Sequence, residues 1–349
     1  MNTVGGRKRR AAVLLMSTVL LFVLFFVSLT FGRYSVPFFD VIKILWHRLW
    51  TLTGLDRVLP MTVSWTEAME KTVISIRLPR ILTACLVGCS LSASGAAFQG
   101  VFKNPMASPD ILGASSGAAF GAALAILLGV STQFITIFAF VSSILTVVLV
   151  FLIAQRAPGQ RTVNLILAGI MVGSLFSAGT SYLKLVADPS NQLPAITYWL
   201  MGSLSGVRLS SILPAAIPMA AGLVPLLLLR WRLNLLSLGE SEARALGVNT
   251  DLLRAVLILC ATLITAASIS VSGVIGWVGL VIPHLCRKLI GSDNRGLLPC
   301  SMLVGASFLL LVDDVSRNLL ATEIPIGILT AVIGAPFFIW LLLRKEKTL

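Results

Sequence analysis

The sequence predicts an all-α polytopic membrane protein. Of the 349 residues, 57% are hydrophobic and only 12% are charged, whereas a soluble domain carries about 25% charged residues. The mean hydropathy is +0.95, and the apolar residues form runs close to the roughly 20 residues that a helix needs to cross the hydrocarbon core. We therefore expect about ten transmembrane helices in one membrane domain that covers residues 1–349.

The first predicted helix is the apolar run 11–31, which follows the cations Arg7 to Arg10. The run is longer than the roughly 7–15 apolar residues of a secretory signal, and no small-residue cleavage site follows it, so we predict a helix that is retained. A long loop, 32–76, comes next. Within it, residues 41–55 interleave apolar and basic side chains, which indicates a helix at the membrane surface rather than a partner site.

Eight further runs are long enough to span the membrane: 81–101, 111–130, 133–154, 162–182, 209–229, 254–272, 297–321 and 325–343. Both ends of the chain are basic, and cytoplasmic loops carry an excess of Lys and Arg, so both termini are predicted to be cytoplasmic and the number of crossings to be even. The tenth crossing is then the run 274–289, which Gly276, Gly279 and Pro283 interrupt. On this topology the loop 32–76 lies outside.

The two halves of the chain share a faint pattern. Ser-Gly pairs at 94–95 and 272–273 each precede a proline at the same spacing, Pro105 and Pro283 respectively. Matching Gly and Pro interruptions in two halves are typical of transporters built from internal repeats. The pattern predicts an internal pseudo-repeat.

The position of the charges and the absence of certain motifs argue against several classes of function. The net charge of +13 could suggest a nucleic-acid partner, but the cations cluster at helix ends, where membrane topology explains them better. A phosphate-binding loop would need a Gly-Lys dipeptide, and the sequence has none. The two histidines, His47 and His284, are far apart, so no catalytic metal centre is predicted. We expect neither an enzyme nor a resident cofactor.

The loop between the sixth and seventh spans, about 233–253, contains two amphipathic turns punctuated by glycine. This pattern is too regular for a disordered linker. Its acids Glu240 and Glu242 argue against a helix that rests on the anionic cytoplasmic leaflet. The segment is therefore predicted to dock with a partner protein.

Polar residues within the spans suggest where a pathway lies. Ser174, Ser177 and Ser181 share one face of the fifth span, and they serve either hydrogen bonding between helices or the lining of a wet cavity. Asp313 lies near the outer end of its span with Arg317 at i+4. A local helix pair is the favoured interpretation of these two residues, with an outward-facing contact through the arginine or a proton site as alternatives.

Three segments together resemble the permease subunits of ABC importers for iron-siderophores, haem and cobalamin, the FecCD family. They are 77–80 leading to 104–109, then 238–247, then 276–284 followed by 325–340. The resemblance covers nearly the whole chain and agrees with the ten spans. It implies the type II importer permease fold, in which a second permease copy or paralogue, two cytoplasmic ATPases that bind ATP, and an extracytoplasmic binding protein are the partners.

The resemblance also implies roles for individual residues. Arg77, Arg80 and Arg317 would accept carboxylates from the two lobes of the binding protein. The ATPase would be contacted by Leu238, Gly239, Glu240, Glu242, Ala243, Arg244, Leu246 and Gly247. The gate and pathway would include Gln99, Asn104, Met106, Thr162 and Val163 with the three serines of the fifth span, and the fifth and tenth spans would line the path at the dimer axis.

The function expected from this resemblance is import of a metal chelate across the cytoplasmic (inner) membrane. The chain itself would be surrounded by membrane lipid. A ferric siderophore is favoured because it is the commonest substrate of the family, with haem and cobalamin as alternatives. An ion-coupled secondary carrier is the alternative from another class. It is disfavoured because the spans lack mid-membrane carboxylates, which such carriers keep for function.

Overall fold

The computed structural model describes residues 3–53, 63–238 and 240–343, and the regular structure in these ranges is helical throughout. A π-helical turn, Thr72–Arg77, joins α3 to α4, and a short 3₁₀ helix, Pro109–Leu112, precedes α5. The helices are α1 (Thr3–Thr30), α2 (Phe38–Leu52), α3 (Glu67–Lys71), α4 (Leu78–Phe102), α5 (Ala114–Leu127), α6 (Thr132–Arg156), α7 (Arg161–Val186), α8 (Gln192–Leu200), α9 (Leu209–Leu238), α10 (Glu240–Ala245), α11 (Thr250–Ser272), α12 (Val278–Ile290), α13 (Asn294–Asn318) and α14 (Ile326–Leu343).

Each of the ten predicted spans coincides with a helix. Among the described residues, seven helices are long and apolar enough to cross a membrane: α1, the continuous helix from α3 to α4, α6, α7, α9, α11 and α13. The helices α5, α12 and α14 are shorter, and α5 has only 14 residues. Its predicted first turn is missing because Pro109 starts a 3₁₀ turn and Gly113, with φ 74°, separates that turn from α5.

The surface helix predicted in the first loop is present as α2. Its Val41 and Ile44 are buried, whereas Trp46 and Leu49 are exposed. One face of α2 therefore packs on the protein, and the other is available to the membrane surface.

The central helix of the bundle is α4, which packs against α9, α11, α12 and α13. Small residues allow the close approach. A Cβ atom on Gly88 would lie 2.3 Å from the Gly305 carbonyl oxygen, and one on Gly95 would lie 1.8 Å from the Gly279 carbonyl oxygen. Membrane helices associate through van der Waals packing that small residues make possible, so these glycines set the distance from α4 to α12 and α13.

The two ends of the bundle are defined by the antiparallel pair α4 and α13. Arg80 contacts Asp313 where α4 begins and α13 ends, and we call this the arginine end. At the other end, where α4 ends and α13 begins, a Cβ on Gly100 would lie 4.0 Å from the side-chain amide nitrogen of Asn294. This second end also carries α10, between α9 and α11, and we call it the α10 end.

At the α10 end, Asp293 links three helices. Its carboxylate pairs with Arg10 of α1, accepts a hydrogen bond of 2.8 Å from Asn234 of α9, and caps α13 by accepting from the Arg295 amide at 3.0 Å. Burial opposes ionisation of Asp293, but the hydrogen bonds from Arg295, Asn234 and Arg10 outweigh it and lower the pKa of the carboxyl group. The carboxylate therefore stays charged and joins α1, α9 and α13 near neutral pH.

The N-terminus of α1 and the C-terminus of α14 both lie at the α10 end. Arg10, near the start of α1, reaches Asp293 there. The Lys288 ammonium, at the end of α12, lies 5.3 Å from the ring centre of Trp340 in the last turns of α14. This arrangement agrees with the predicted even number of crossings.

The sequence pattern used to predict the internal repeat does not occupy equivalent local structures. Gly95 lies inside α4, whereas Gly273 follows α11 with φ 67°. Pro105 lies in the loop after α4, and Pro283 lies inside α12. The matching spacing therefore does not mark equivalent positions in two repeats.

Candidate functional site

Three arginines and three carboxylates form a cluster at the arginine end, where α1 ends, α4 begins and α13 ends. The structure brings together the three predicted arginines, but it buries them: Arg77, Arg80 and Arg317 are 4%, 7% and 8% exposed. The three acids of the cluster are Asp313, Asp314 and Glu323. Three positive and three negative side chains sum to zero formal charge.

Arg77 binds the C-terminal end of α1. Its guanidinium donates hydrogen bonds of 2.6 and 3.1 Å to the carbonyl oxygens of Leu29 and Thr30, and it also contacts the carbonyl oxygen of Tyr34. The last carbonyls of a helix have no partners within the helix and carry partial negative charge, so a cation there is favourable. Arg77 thus joins α1 to the start of α4.

Arg80 lies between two acids. Its Nε is 2.9 and 3.1 Å from the two carboxylate oxygens of Asp313, and its Nη1 is 2.9 Å from both oxygens of Glu323. The third nitrogen, Nη2, is buried and makes no hydrogen bond within the described part of the chain. The side chain of Asp313 is 0% exposed and that of Glu323 is 30% exposed.

Arg317 joins α13 to the end of α1. Its Nη2 donates to the carbonyl oxygen and the hydroxyl of Ser28 at 3.0 and 2.6 Å, and it also pairs with Asp314. The predicted i+4 contact with Asp313 exists, but it is the longer one at 3.8 Å. The nearer partner is three residues away, because Asp314 is also held by the Ser28 hydroxyl at 2.6 Å.

These contacts differ from the expectation of arginines that stand open to a partner. Each guanidinium is already engaged by carboxylates or carbonyl oxygens of the chain. The physical reason is that a buried cation without a partner costs several kcal/mol, roughly what breaking a buried ion pair costs. Any partner carboxylate at this end has to compete with the internal contacts.

The predicted coupling segment contains α10 at the opposite end. The helix ends in a Schellman arrangement: the Val248 amide donates to the Ala243 carbonyl oxygen at 3.1 Å, and Gly247 has φ 77°. The Asn249 side chain then caps α11 by accepting from the Leu252 amide at 3.0 Å. The Gly247 and Asn249 positions therefore turn the chain sharply between two helices.

The coupling residues divide into an anchor and an exposed face. Ala243 is fully buried, whereas Glu242, Leu246 and Gly247 are exposed, Leu246 to 63%. Gly239 and the side chains of Leu238, Glu240 and Arg244 lie outside the described part of the chain. The described residues present a small surface with an acid and a leucine at the α10 end.

Gln99 is buried between α4 and α12. It is 3% exposed. Its oxygen accepts a hydrogen bond of 2.9 Å from Arg287, and its nitrogen donates to the Leu280 carbonyl oxygen at 3.3 Å. These contacts tie α4 to α12, and the pathway role of Gln99 stays a prediction.

The predicted gate residues are divided between the loop after α4 and the first turn of α7. Asn104 follows α4 and turns the chain by accepting a hydrogen bond of 2.9 Å from the Met106 amide. The 3₁₀ segment beyond them packs on α7, where a Cβ on Gly169 would lie 2.2 Å from the Ile111 carbonyl oxygen. Thr162 and Val163 lie nearly two turns from Gly169 toward the start of α7, roughly 9 Å along the helix axis. Met106 and Val163 are exposed.

The three serines of α7 lie on an exposed helix face. Ser174 and Ser181 bond back to carbonyl oxygens of their own helix at 2.8 and 3.0 Å, and Ser177 donates to the Ser116 hydroxyl at 3.3 Å. Leu175 beside them is also exposed. Two of the three hydroxyls therefore make no bond to another helix here, which favours a pathway lining over helix packing.

Comparison with known proteins agrees with this arrangement. The model of the FecCD transport family matches residues 20–344. The molybdate import system permease protein MolB of Haemophilus influenzae is 43% identical over 325 residues, which is 92% of each chain. An iron chelatin transport system permease protein of Helicobacter pylori is 44% identical over 280 residues, 80% of this chain and 85% of the relative.

A solved structure is also similar over nearly the whole length. It is an inward-facing conformation of an ABC transporter of metal-chelate type, with a TM-score of 0.83 and 41% sequence identity, covering 95% of this chain and 99% of the other. The helical packing described above is therefore shared with this solved transporter structure.

Proposed function

This chain belongs to the FecCD transport family and is a multi-pass permease of the ABC importer class, and on this premise we propose that it imports a ferric siderophore across the cytoplasmic membrane. The observation that carries the proposal is the distribution of features along one bundle. A charged cluster lies at one end, a short exposed helix lies at the other, and the open serine face of α7 lies between them.

The orientation in the membrane is part of the proposal. We place the arginine end outside and the α10 end in the cytoplasm. Basic residues at the α10 end support this choice: Arg161 contacts Asp251 at the start of α11, and Arg287 and Lys288 end α12. Cytoplasmic ends of membrane helices are enriched in such cations. Both termini are then cytoplasmic.

The substrate class is supported by the relatives and by the chemistry of α7. The two curated relatives are named for molybdate and for an iron chelatin. Between Thr162 and Leu183, α7 carries no charged residue, so its exposed face offers hydroxyls and apolar side chains. A bulky chelate passes such a surface without being held by a fixed charge. Haem and cobalamin fit the same surface and are the alternatives.

The mechanism rests on partners that the chain does not contain. Separate cytoplasmic ATPases contact α10 and supply the energy, a binding protein delivers the chelate at the arginine end, and a second permease completes the path along α7 and α14. ATP drives the cycle only through its differential affinity for the outward-open and inward-open states. The role of this chain is to transmit that difference from α10 to the helices that line the path.

The proposal predicts that transport needs the separate ATPase. We expect liposomes that hold this chain, its ATPase and its binding protein to take up the ferric chelate when ATP is inside. Liposomes with the chain alone are expected to show no uptake under a proton or sodium gradient. Uptake of radioactive ⁵⁵Fe as the chelate measures both, and gradient-driven uptake by the chain alone would mean that it is a secondary carrier.

Docking at the arginine end predicts a specific effect of Arg80→Lys. Lysine keeps the positive charge beside Asp313, so the fold is retained, but it loses the planar fork that binds a carboxylate through two nitrogens. We expect roughly tenfold weaker affinity for the binding protein at low salt. Biolayer interferometry in nanodiscs measures it, with Lys71→Gln, an exposed cation at the end of α3, as the control. Equal affinity of Arg80→Lys and the unaltered chain would contradict a docking role.

A further inference from the structure

The hydrogen bonding of Arg80 is uneven. Two oxygens of Asp313 face its Nε, and two oxygens of Glu323 share its Nη1, each at 2.9 Å, while Nη2 is buried without a hydrogen bond among the described residues. A carboxylate usually binds an arginine with one oxygen on each of two nitrogens. Glu323 therefore uses only half of the edge that Nη1 and Nη2 form together.

The two acids that hold Arg80 differ in how easily they can leave. Asp313 is fully buried within α13. Glu323 lies in the loop between α13 and α14, and its side chain is 30% exposed. The main chain beside it is fixed, because the Ser316 hydroxyl donates to the Ile324 carbonyl oxygen at 2.5 Å and the Ile324 amide donates to the Ser316 carbonyl oxygen at 3.2 Å. The Glu323 carboxylate can thus turn into water by side-chain rotation alone.

We propose that Glu323 is an internal substitute for the carboxylate of a partner. It occupies Arg80 until the binding protein docks, and an incoming carboxylate of that protein then displaces it. The proposal rests on the docking role of Arg80 proposed above. The incoming group binds Nη1 and Nη2 together, so it gains the donor that Glu323 leaves unused, and the released glutamate is solvated at the surface.

This exchange explains why the cluster is neutral. Without Glu323, Arg80 would still contact Asp313, but the cluster would hold three cations and two acids and would carry a buried net positive charge between transport cycles. With Glu323 in place, the cation is paired at every stage. The affinity for the binding protein is then set by the difference in binding free energy between two carboxylates at Arg80. This small difference keeps docking reversible.

The test compares three variants for affinity to the proposed partner binding protein, in nanodiscs at low salt. Glu323→Gln weakens the internal contact and is expected to tighten docking by about three- to tenfold. Glu323→Asp keeps the charge but shortens the reach to Arg80, and it is expected to tighten docking as well. Glu67→Gln is the control, because Glu67 is an exposed acid of α3. Helix α3 leads through the π-helical turn into the start of α4 at the arginine end.

The outcomes separate this proposal from the docking role itself. If Arg80→Lys weakens docking while both Glu323 variants bind as tightly as the unaltered chain, the substitute role is wrong and the docking role stands. If Glu323→Asp has no effect while Glu323→Gln and Glu67→Gln tighten docking equally, general charge repulsion is the cause and the proposal is overturned. If Arg80→Lys has no effect, the docking role falls first. Melting curves in detergent check that each variant is folded.

Discussion

Replacing Gly95 with leucine is expected to abolish the stable folded permease. A Cβ at this position would lie 1.8, 2.5 and 2.7 Å from the oxygen, carbon and Cα of Gly279. All three are main-chain atoms, so α4 and α12 would have to separate rather than repack a side chain. Overpacking costs up to about 3 kcal/mol, and occasionally more, and α4 is the helix on which α9, α11, α12 and α13 all pack.

The measurement is the monodisperse fraction after detergent extraction, together with the melting temperature. The matched control is Gly276→Ala, because among the described residues no atom beyond its chain neighbours lies within 4 Å of a Cβ placed on Gly276. We expect the control to purify like the unaltered chain and Gly95→Leu to aggregate. A normal yield and melting temperature for Gly95→Leu would show that the close contact between α4 and α12 is not needed.

Loss of the coupling surface is expected to stop uptake without stopping docking. Glu242→Lys reverses an exposed charge on α10 beside the exposed Leu246. A hot-spot residue at the centre of an interface costs about 2 kcal/mol or more when it is altered, and with Glu242 as such a residue uptake is expected to fall more than tenfold. Deletion of residues 238–247 is expected to abolish it. ATP hydrolysis by the partner ATPase then continues without transport.

Uptake, ATP hydrolysis and affinity for the binding protein are measured on the same proteoliposomes. Arg295→Glu is the control, since Arg295 is exposed at the α10 end and changes by the same amount of charge outside α10. Unaltered uptake by Glu242→Lys and by the deletion would remove α10 from the proposed coupling surface. Equal loss in Arg295→Glu would point to a general charge effect at this end.

The helical fold was largely predictable because hydropathy alone marks long membrane helices. The boundaries were less predictable where charged residues continue a helix. The helix from Glu67 through α4 begins inside what was predicted as an outer loop, and α9 runs past Arg230 to Leu238. Hydrogen bonds within the helix continue beyond the apolar run, and a hydropathy pattern does not register them.

The site was predictable in its location and not in its pairing. Two antiparallel helices suffice to place Arg80 and Arg317 at one end. The ion pair between Arg80 and Asp313, however, joins residues 233 positions apart. Its register depends on the contact of Gly88 with Gly305, and a single sequence does not show which glycines face each other. The same limit applies to Gln99, whose partner Arg287 lies on another helix.

The clamps at both ends of α1 have a mechanical consequence. Arg77 holds its last carbonyls, Arg10 holds its first turns to the cap of α13, and glycine contacts lock α13 to α4. These three helices form a rigid block. The connection 103–113 leaves this block and leads to α5, which packs on α7. Its two ends, Lys103 at φ 52° and Gly113 at φ 74°, both have left-handed backbone, so the chain bends twice between the block and the side of the subunit that carries the serine face.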